Sequence, residues 1–198
     1  IGNGLGVLLY PFAAERRRVG MINLKLCFPE MSEEARKKLV RDHFKMFCRG
    51  LIERSILWWS SAVRISSLIR VEGIEYFEAV KDKPAIFLTP HFVGMDAGGQ
   101  WIAQHTDTVC MYANQKNMYL TELLLKKRAR FRDQRLYSRQ QGLRPILKGM
   151  REGKPFIYPP DQDQGVKDGA FIPFFGVPAA TMTSVPRIAQ MTGAKVVP

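Results

Sequence analysis

From Ser32 onward, Leu39, Val40, Phe44, Phe47 and Leu51 recur at the spacing of a single helical stripe, which predicts a long amphipathic helix running from residue 32 to about residue 58. Pro29 precedes that start, and Glu33 and Glu34 place negative charge in the first turn, where the helix dipole favours it. Downstream the pattern changes to short apolar runs set between helical stretches. A short strand closes at Val71, a helix is expected over 74–81 and a buried strand over 85–89. A helix over 95–105 and a strand over 108–112 follow. Helices around 120–132 and 143–151 lead to a strand over 156–158, a helix around 183–191 and a last strand over 195–197. Strands alternating with helices imply an α/β architecture, a mostly parallel central sheet flanked by helices. No repeat, low-complexity tract or clear linker interrupts the pattern, so residues 1–198 are expected to form a single domain.

Length agrees with that reading, because 198 residues with 46% hydrophobic content are enough for one sizeable core. The formal net charge of +12 points to an anionic partner: nucleic acid, an acidic protein, or a phosphorylated or membrane surface. Cys27, Cys48 and Cys110 are isolated, odd in number and without a C-x-x-C spacing. They read as free thiols in a reducing compartment, against a disulfide scaffold or a zinc site. No run of 18 or more apolar residues is present, and Ile1-Gly2-Asn3-Gly4 is not a secretory signal. The chain lacks an initiator Met and stops at Val196-Val197-Pro198, where a strand ends. Both ends are therefore expected to have been cut from something longer, with a membrane anchor lying outside the sequence.

The strongest chemical signal is His91-Phe92-Val93-Gly94-Met95-Asp96, directly after the apolar run 85–89 and Pro90. On one straight helix, His91 and Asp96 would point about 140° apart. Pro90 and Gly94 indicate instead that a strand ends, His91 sits on the turn and Asp96 enters the first turn of the next helix. Asp96 can then reach back to one imidazole nitrogen and fix its tautomer, leaving the other to take a proton from an alcohol or thiol. In parallel sheets reactive groups gather at the carboxyl ends of strands, where His91 would lie. A satisfied histidine at a strand end is the alternative.

A second segment, Tyr158-Pro159-Pro160-Asp161-Gln162-Asp163, follows another apolar strand. Asp161 and Asp163 can chelate one hard cation, as in cation-dependent glycosyltransferases, or position basic side chains; an Asx-rich turn explains them as well. Only Asp168 adds a further acid nearby, so a metal is not expected. Lys126 to Arg132 is strongly basic; on a continued helix Arg128, Arg132 and Arg135 make a basic face, and Leu120, Leu124 and Phe131 an apolar one. Such a run is either a solvated face or an anion site. A nucleic-acid reader would show interleaved stacking aromatics or a known module, and apart from Phe131 neither is visible. Arg139 and Arg144 are further candidates for holding phosphate. The segment from Phe171 to Pro178 is too rich in Phe and Pro for a regular central strand, so it lines an apolar groove or turns a bend. Trp58 and Trp59 suit a membrane interface or a core.

These segments together resemble a known family. Thr-Pro-His-Phe-Val-Gly-Met-Asp at 89–96, Asn-Leu-Lys-Leu-Cys-Phe-Pro-Glu-Met-Ser at 23–32, the Tyr158 to Asp163 element and Phe-Ile-Pro-Phe-Phe-Gly-Val-Pro-Ala-Ala-Thr at 171–181 are similar, in the same order, to the bacterial lipid A biosynthesis acyltransferases of the lysophospholipid acyltransferase superfamily. The resemblance covers nearly the whole chain. It implies a glycerolipid acyltransferase-like fold at the cytoplasmic face of the inner membrane, moving an acyl chain from acyl carrier protein to a hydroxyl of a Kdo-bearing lipid A precursor, without metal, bound cofactor or nucleic acid. It implies His91 and Asp96 as catalytic residues and Arg130 with Asp161 or Asp163 as site residues, Arg130 holding phosphate or the developing charge and the acids organising the site. Arg128 of the basic face and Arg139 are added as substrate-binding candidates from the residues themselves. Position 96 carries Asp where many members have Glu, and Pro159 departs from the family's residue between Tyr158 and Pro160.

Overall fold

The computed structural model describes residues 1–162 and 169–198. The chain divides into two compact units, residues 1–56 with 163–181 and residues 57–162 with 182–198. The long helix α3 (Glu33–Trp59) belongs to the first unit except for its last residues.

In the first unit, two helices that the apolar pattern did not reveal, α1 (Gly2–Leu9) and α2 (Ala14–Cys27), precede α3. Gly2 and Gly6 lie one turn apart on α1, and a Cβ on either would stand 2.5 Å from the Cα of Arg49 or Lys45. Only glycine permits this backbone approach. Tyr10 packs edge-on against Phe44 at 5.3 Å between ring centres, and its carbonyl accepts a hydrogen bond from Arg17 at 2.5 Å. Strands β5 (Gly169–Phe174) and β6 (Val177–Met182) form a separate two-stranded sheet. The Phe-Pro-rich segment is therefore mostly strand. Phe175 and Gly176 join the two strands with φ of 51° and 76°, the positive pair of a tight hairpin turn.

The second unit holds a five-stranded sheet of β1 (Ala85–Leu88), β2 (Thr108–Tyr112), β3 (Gln134–Ser138), β4 (Phe156–Tyr158) and β7 (Lys195–Val197), in the order β3-β2-β4-β1-β7. Every registered pair is parallel, as the alternation of elements implied. Strand β1 is buried on both faces. Ile86 joins Val109, Ile146, Met150, Phe156 and Ile188 on one side; Ala85 and Phe87 join Phe77, Val80 and Trp101 on the other. This two-sided burial is why β1 reads as an unbroken apolar run. The helices are α4 (Ala62–Leu68), α5 (Ile74–Glu78), α6 (Met95–His105), α7 (Met118–Arg128), α8 (Arg144–Arg151) and α9 (Ser184–Thr192).

Four details differ from the sequence pattern. Val71 closes no strand, and α4 precedes it instead. Helix α7 stops at Arg128, and Arg132, with φ of 29°, lies beyond it. Arg135 belongs to β3, so Arg128, Arg132 and Arg135 share no helical face. Strand β3 itself has no apolar signature because its position at the sheet edge lets Gln134 and Arg135 stay polar.

The amino ends of three adjacent strands are tied by charge. Lys154, just before β4, places Nζ 2.9 Å from Asp107, which precedes β2, and 3.0 Å from Asp133, which precedes β3. The ammonium beside them holds both carboxyls below the usual carboxylate range. Burial alone would lower Lys154, but its bonds to the two acids outweigh that and raise it.

Candidate functional site

The site begins with a register. Leu88 of β1 pairs with Tyr158 of β4, and the Thr89 N–H extends the ladder to the Tyr158 carbonyl at 3.1 Å. Pro90 on one strand, and Pro159 and Pro160 on the other, have no N–H to continue it. Each chain therefore leaves the sheet at the same level, and three residues past the Leu88–Tyr158 pair stand His91 and Asp161.

The Asp161 carboxylate takes His91 in a two-point grip. Oδ2 accepts the His91 backbone N–H at 2.7 Å, and Oδ1 lies 2.8 Å from the imidazole Nδ1. An ionised carboxylate only accepts, so Nδ1 carries the hydrogen and Nε2 is left as the basic nitrogen of the neutral ring. Burial alone would raise the Asp161 pKa, but the bonds from the His91 backbone and ring outweigh it and hold the carboxyl below its ordinary range. Both oxygens are engaged by His91, each through one hydrogen bond.

The turn after His91 is tight. The Phe92 N–H bonds back to the Pro90 carbonyl at 2.7 Å and the Met95 N–H to that of Phe92 at 3.0 Å, delivering the chain into α6. Asp96 lies in the first turn of α6, as the spacing predicted, where the dipole favours a negative charge. The carboxylate on Nδ1, however, is that of Asp161 in place of the expected Asp96. Asp96 accepts instead from Arg128, the last residue of α7, at 3.0 Å, with only 14% of its side chain exposed. The exchange of partners follows from strand order: β4 lies directly beside β1 and presents its post-strand acid at the level of His91.

The remaining expected site residues fall in different places. The Arg130 guanidinium is turned onto main-chain carbonyls at the end of α3: Leu57 at 3.3 Å, with Trp58 and Ser60 also bonded. Arg139 opens a short 3₁₀ turn at the carboxyl end of β3. That is the same sheet edge as His91 but three strands away, about 14 Å at ordinary strand spacing. Asp163 lies outside the described residues.

Two features at this edge had no sequence signal as contacts. The Tyr158 hydroxyl lies 2.5 Å from Ser184 Oγ, in the first turn of α9. Thr89 Oγ1, two residues before His91, is buried with no hydrogen-bond partner among the described residues. The first joins residues 26 positions apart in sequence. Phe92, by contrast, is 75% exposed directly beside His91, an apolar surface next to the imidazole.

A histidine gripped by a carboxylate at the carboxyl edge of a parallel sheet is an arrangement suited to abstracting a proton. The chain belongs to the bacterial lipid A biosynthesis acyltransferase family, whose model matches residues 1–198. It is 32% identical over 201 residues to the lipid A biosynthesis lauroyltransferase of Escherichia coli (strain K12), covering 100% of this chain and 65% of that protein. The lipid A biosynthesis myristoyltransferase of the same organism is 31% identical over 185 residues, 92% of this chain and 57% of its own. A lipid A biosynthesis acyltransferase of Haemophilus influenzae is 29% identical over 186 residues, 93% and 59%. The chain thus spans about three fifths of the length of these relatives.

Proposed function

We propose that this chain carries the catalytic region of an acyltransferase that moves a fatty acyl group from acyl carrier protein to a hydroxyl of a Kdo-bearing lipid A precursor, at the cytoplasmic face of the inner membrane. The grip of Asp161 on His91 is the observation that carries the mechanism. His91 Nε2 takes the proton of the acceptor hydroxyl, and the oxygen attacks the thioester carbonyl. The tetrahedral intermediate collapses with cleavage of the C–S bond, and the imidazolium returns its proton to the departing thiolate. Acyl chain and proton have then exchanged partners. Asp161 holds the productive tautomer and stabilises the imidazolium while it exists.

Substrate and partner follow from family membership and surface chemistry. Lipid A precursors bear phosphates and carrier proteins are acidic, which suits a net charge of +12. Arg128, anchored to Asp96, is one cation of this constellation, and Arg139 supplies another at the same sheet edge. Acyl transfer from a thioester needs no metal.

The membrane reading has support in α2. Arg17, Gly20, Leu24 and Cys27 form its inner face, half-buried, with Gly20 close to Val40. On the outer face Val19, Ile22 and Leu26 stay 44–50% exposed at i, i+3 and i+7, flanked by exposed Arg16, Arg18 and Lys25. An apolar stripe with cationic flanks is the signature of a helix lying in an anionic lipid surface. Among the described residues no helix is long and apolar enough to cross a membrane.

The test is transfer from acyl carrier protein loaded with chains of several lengths to a tetraacylated Kdo-bearing precursor, with His91→Ala as control. A product heavier by one acyl chain, absent with the mutant, supports the reading. An unchanged precursor with every donor overturns it.

A further inference from the structure

The resemblance makes Arg130 a substrate residue, but its contacts give it different work. We infer that Arg130 is a positioning residue that locks the end of α7, and through it the Asp96–Arg128 pair, against the end of α3. Its guanidinium bridges the carbonyls of Leu57, Trp58 and Ser60. The last carbonyls of a helix have no partner within it and carry partial negative charge, so they are natural acceptors for a planar cation with several donors.

Two neighbours reinforce the junction. Lys127 Nζ stands 4.4 Å from the ring centre of Trp59, the last residue of α3. The Lys127 carbonyl in turn accepts from the buried Gln100 Nε2 of α6 at 3.0 Å. Between these contacts Arg128 reaches Asp96 in the first turn of α6. Lys127, Arg128 and Arg130 thus face three different targets: an aromatic ring, a carboxylate and a set of carbonyls. Three of the five Arg130 donors are spent on these carbonyls, which leaves a phosphate ligand only the remainder. Asp96 is five residues from His91 and one turn of chain separates them, so slack at this junction transfers to the base; misplacing a reacting group costs up to about 10²-fold in rate.

The kinetic half of the test rests on the acyltransferase reading; the exchange half does not. In the full chain, Arg130→Met should speed amide hydrogen exchange both at residues 57–61 and at residues 94–98, leaving residues 86–88 unchanged. Acyl transfer should lose about tenfold in kcat with KM for the acceptor held within about twofold, equally for phosphorylated and phosphate-free acceptors. Arg130→Lys, which cannot span three carbonyls, should fall between; it carries the same comparisons should the Met variant fail to fold. A KM raised only for the phosphorylated acceptor, with exchange unchanged, would show a phosphate ligand and overturn the proposal. Faster exchange confined to 57–61 with unchanged kinetics would reduce Arg130 to a helix cap and overturn it too. Should the wild type transfer no acyl chain, the functional reading fails, and coupled exchange at 57–61 and 94–98 still decides the positioning role.

Discussion

Leu88 and Tyr158 are register partners on adjacent parallel strands, and the His91–Asp161 contact follows from what each strand does three residues later. Equal lengths of proline-stopped chain lead from that pair to His91 and to Asp161, so the two side chains meet at one height above the sheet. The meeting of His91 and Asp161 is a product of strand order. The relation also assigns the tautomer, since the ionised Asp161 can only accept from Nδ1.

That assignment is testable by nitrogen NMR of the imidazoles, with His91→Gln to assign the signal among the three histidines. In the neutral ring Nδ1 should carry the proton in the wild type. Asp161→Asn should weaken or reverse this preference, whereas Asp96→Asn, which removes the partner of Arg128, should preserve it. A wild-type ring protonated on Nε2 contradicts the geometry.

Lys154, with 11% of its side chain exposed between Asp107 and Asp133, should make its contribution to stability over a defined pH window. The two acids are lowered in the folded state, so their share is present above the unfolded carboxylate pKa and lost as pH falls through the folded value. Lys154 is raised, so its share is present below the unfolded lysine pKa and lost as pH rises through the folded one. Lys154→Met should therefore lower Tm by a constant amount between about pH 5 and about pH 9, with the difference shrinking at both extremes. The acids are two-fifths to one-half exposed and screened by water, which limits the effect to about 1–2 kcal/mol, roughly 3–6 °C. Thermal melts across pH check this.

A Cβ on Gly149 of α8 would stand 2.3 Å from Cγ1 of Val109, a β-branched side chain in the centre of the sheet's core. Gly149→Ala should therefore destabilise by about 1–3 kcal/mol through overpacking, despite a helix propensity gain of about 1 kcal/mol. A denaturant titration showing increased stability would mean the core yields more readily than this packing implies.

Replacing Val19, Ile22 and Leu26 together by Ser removes the outer stripe of α2 while leaving its inner face. Each half-exposed side chain is worth about 1 kcal/mol on entering lipid, so binding to vesicles rich in anionic lipid should weaken by roughly 10²-fold. Arg16→Gln with Arg18→Gln should weaken binding chiefly at low salt. Unchanged vesicle binding of the triple variant would show that this face is not the lipid surface.

Much of the α/β core was legible because its signals are local. Helix α6 and strands β2, β4 and β7 lie where the pattern placed them; α6, β2 and β4 each carry buried positions that set it, whereas β7 does not. Helix α2 was missed because its outward face is half-apolar and its start is crowded by Arg16, Arg17 and Arg18. The basic run 126–132 looked like continuing helix because Lys and Arg are good helix formers, but the chain turns beyond Arg128. At the site, His91, Asp96 and Asp161 were all visible as chemistry, and only their pairing was not. That β4 inserts beside β1, bringing a residue seventy positions away onto Nδ1, is a property of topology that no window of sequence contains. The same holds for Arg130, whose partners lie some seventy residues earlier.

The most direct test of the mechanism is the turnover of Asp161→Asn, with His91→Ala beside it, in acyl transfer from loaded acyl carrier protein to the lipid A precursor. If Asp161 holds the catalytic base, kcat should fall by about 10²- to 10⁴-fold in both variants, with the acceptor KM nearly unchanged and the fold intact. An Asp161→Asn enzyme that turns over like wild type, while His91→Ala is inactive, would contradict the pairing on which the mechanism rests.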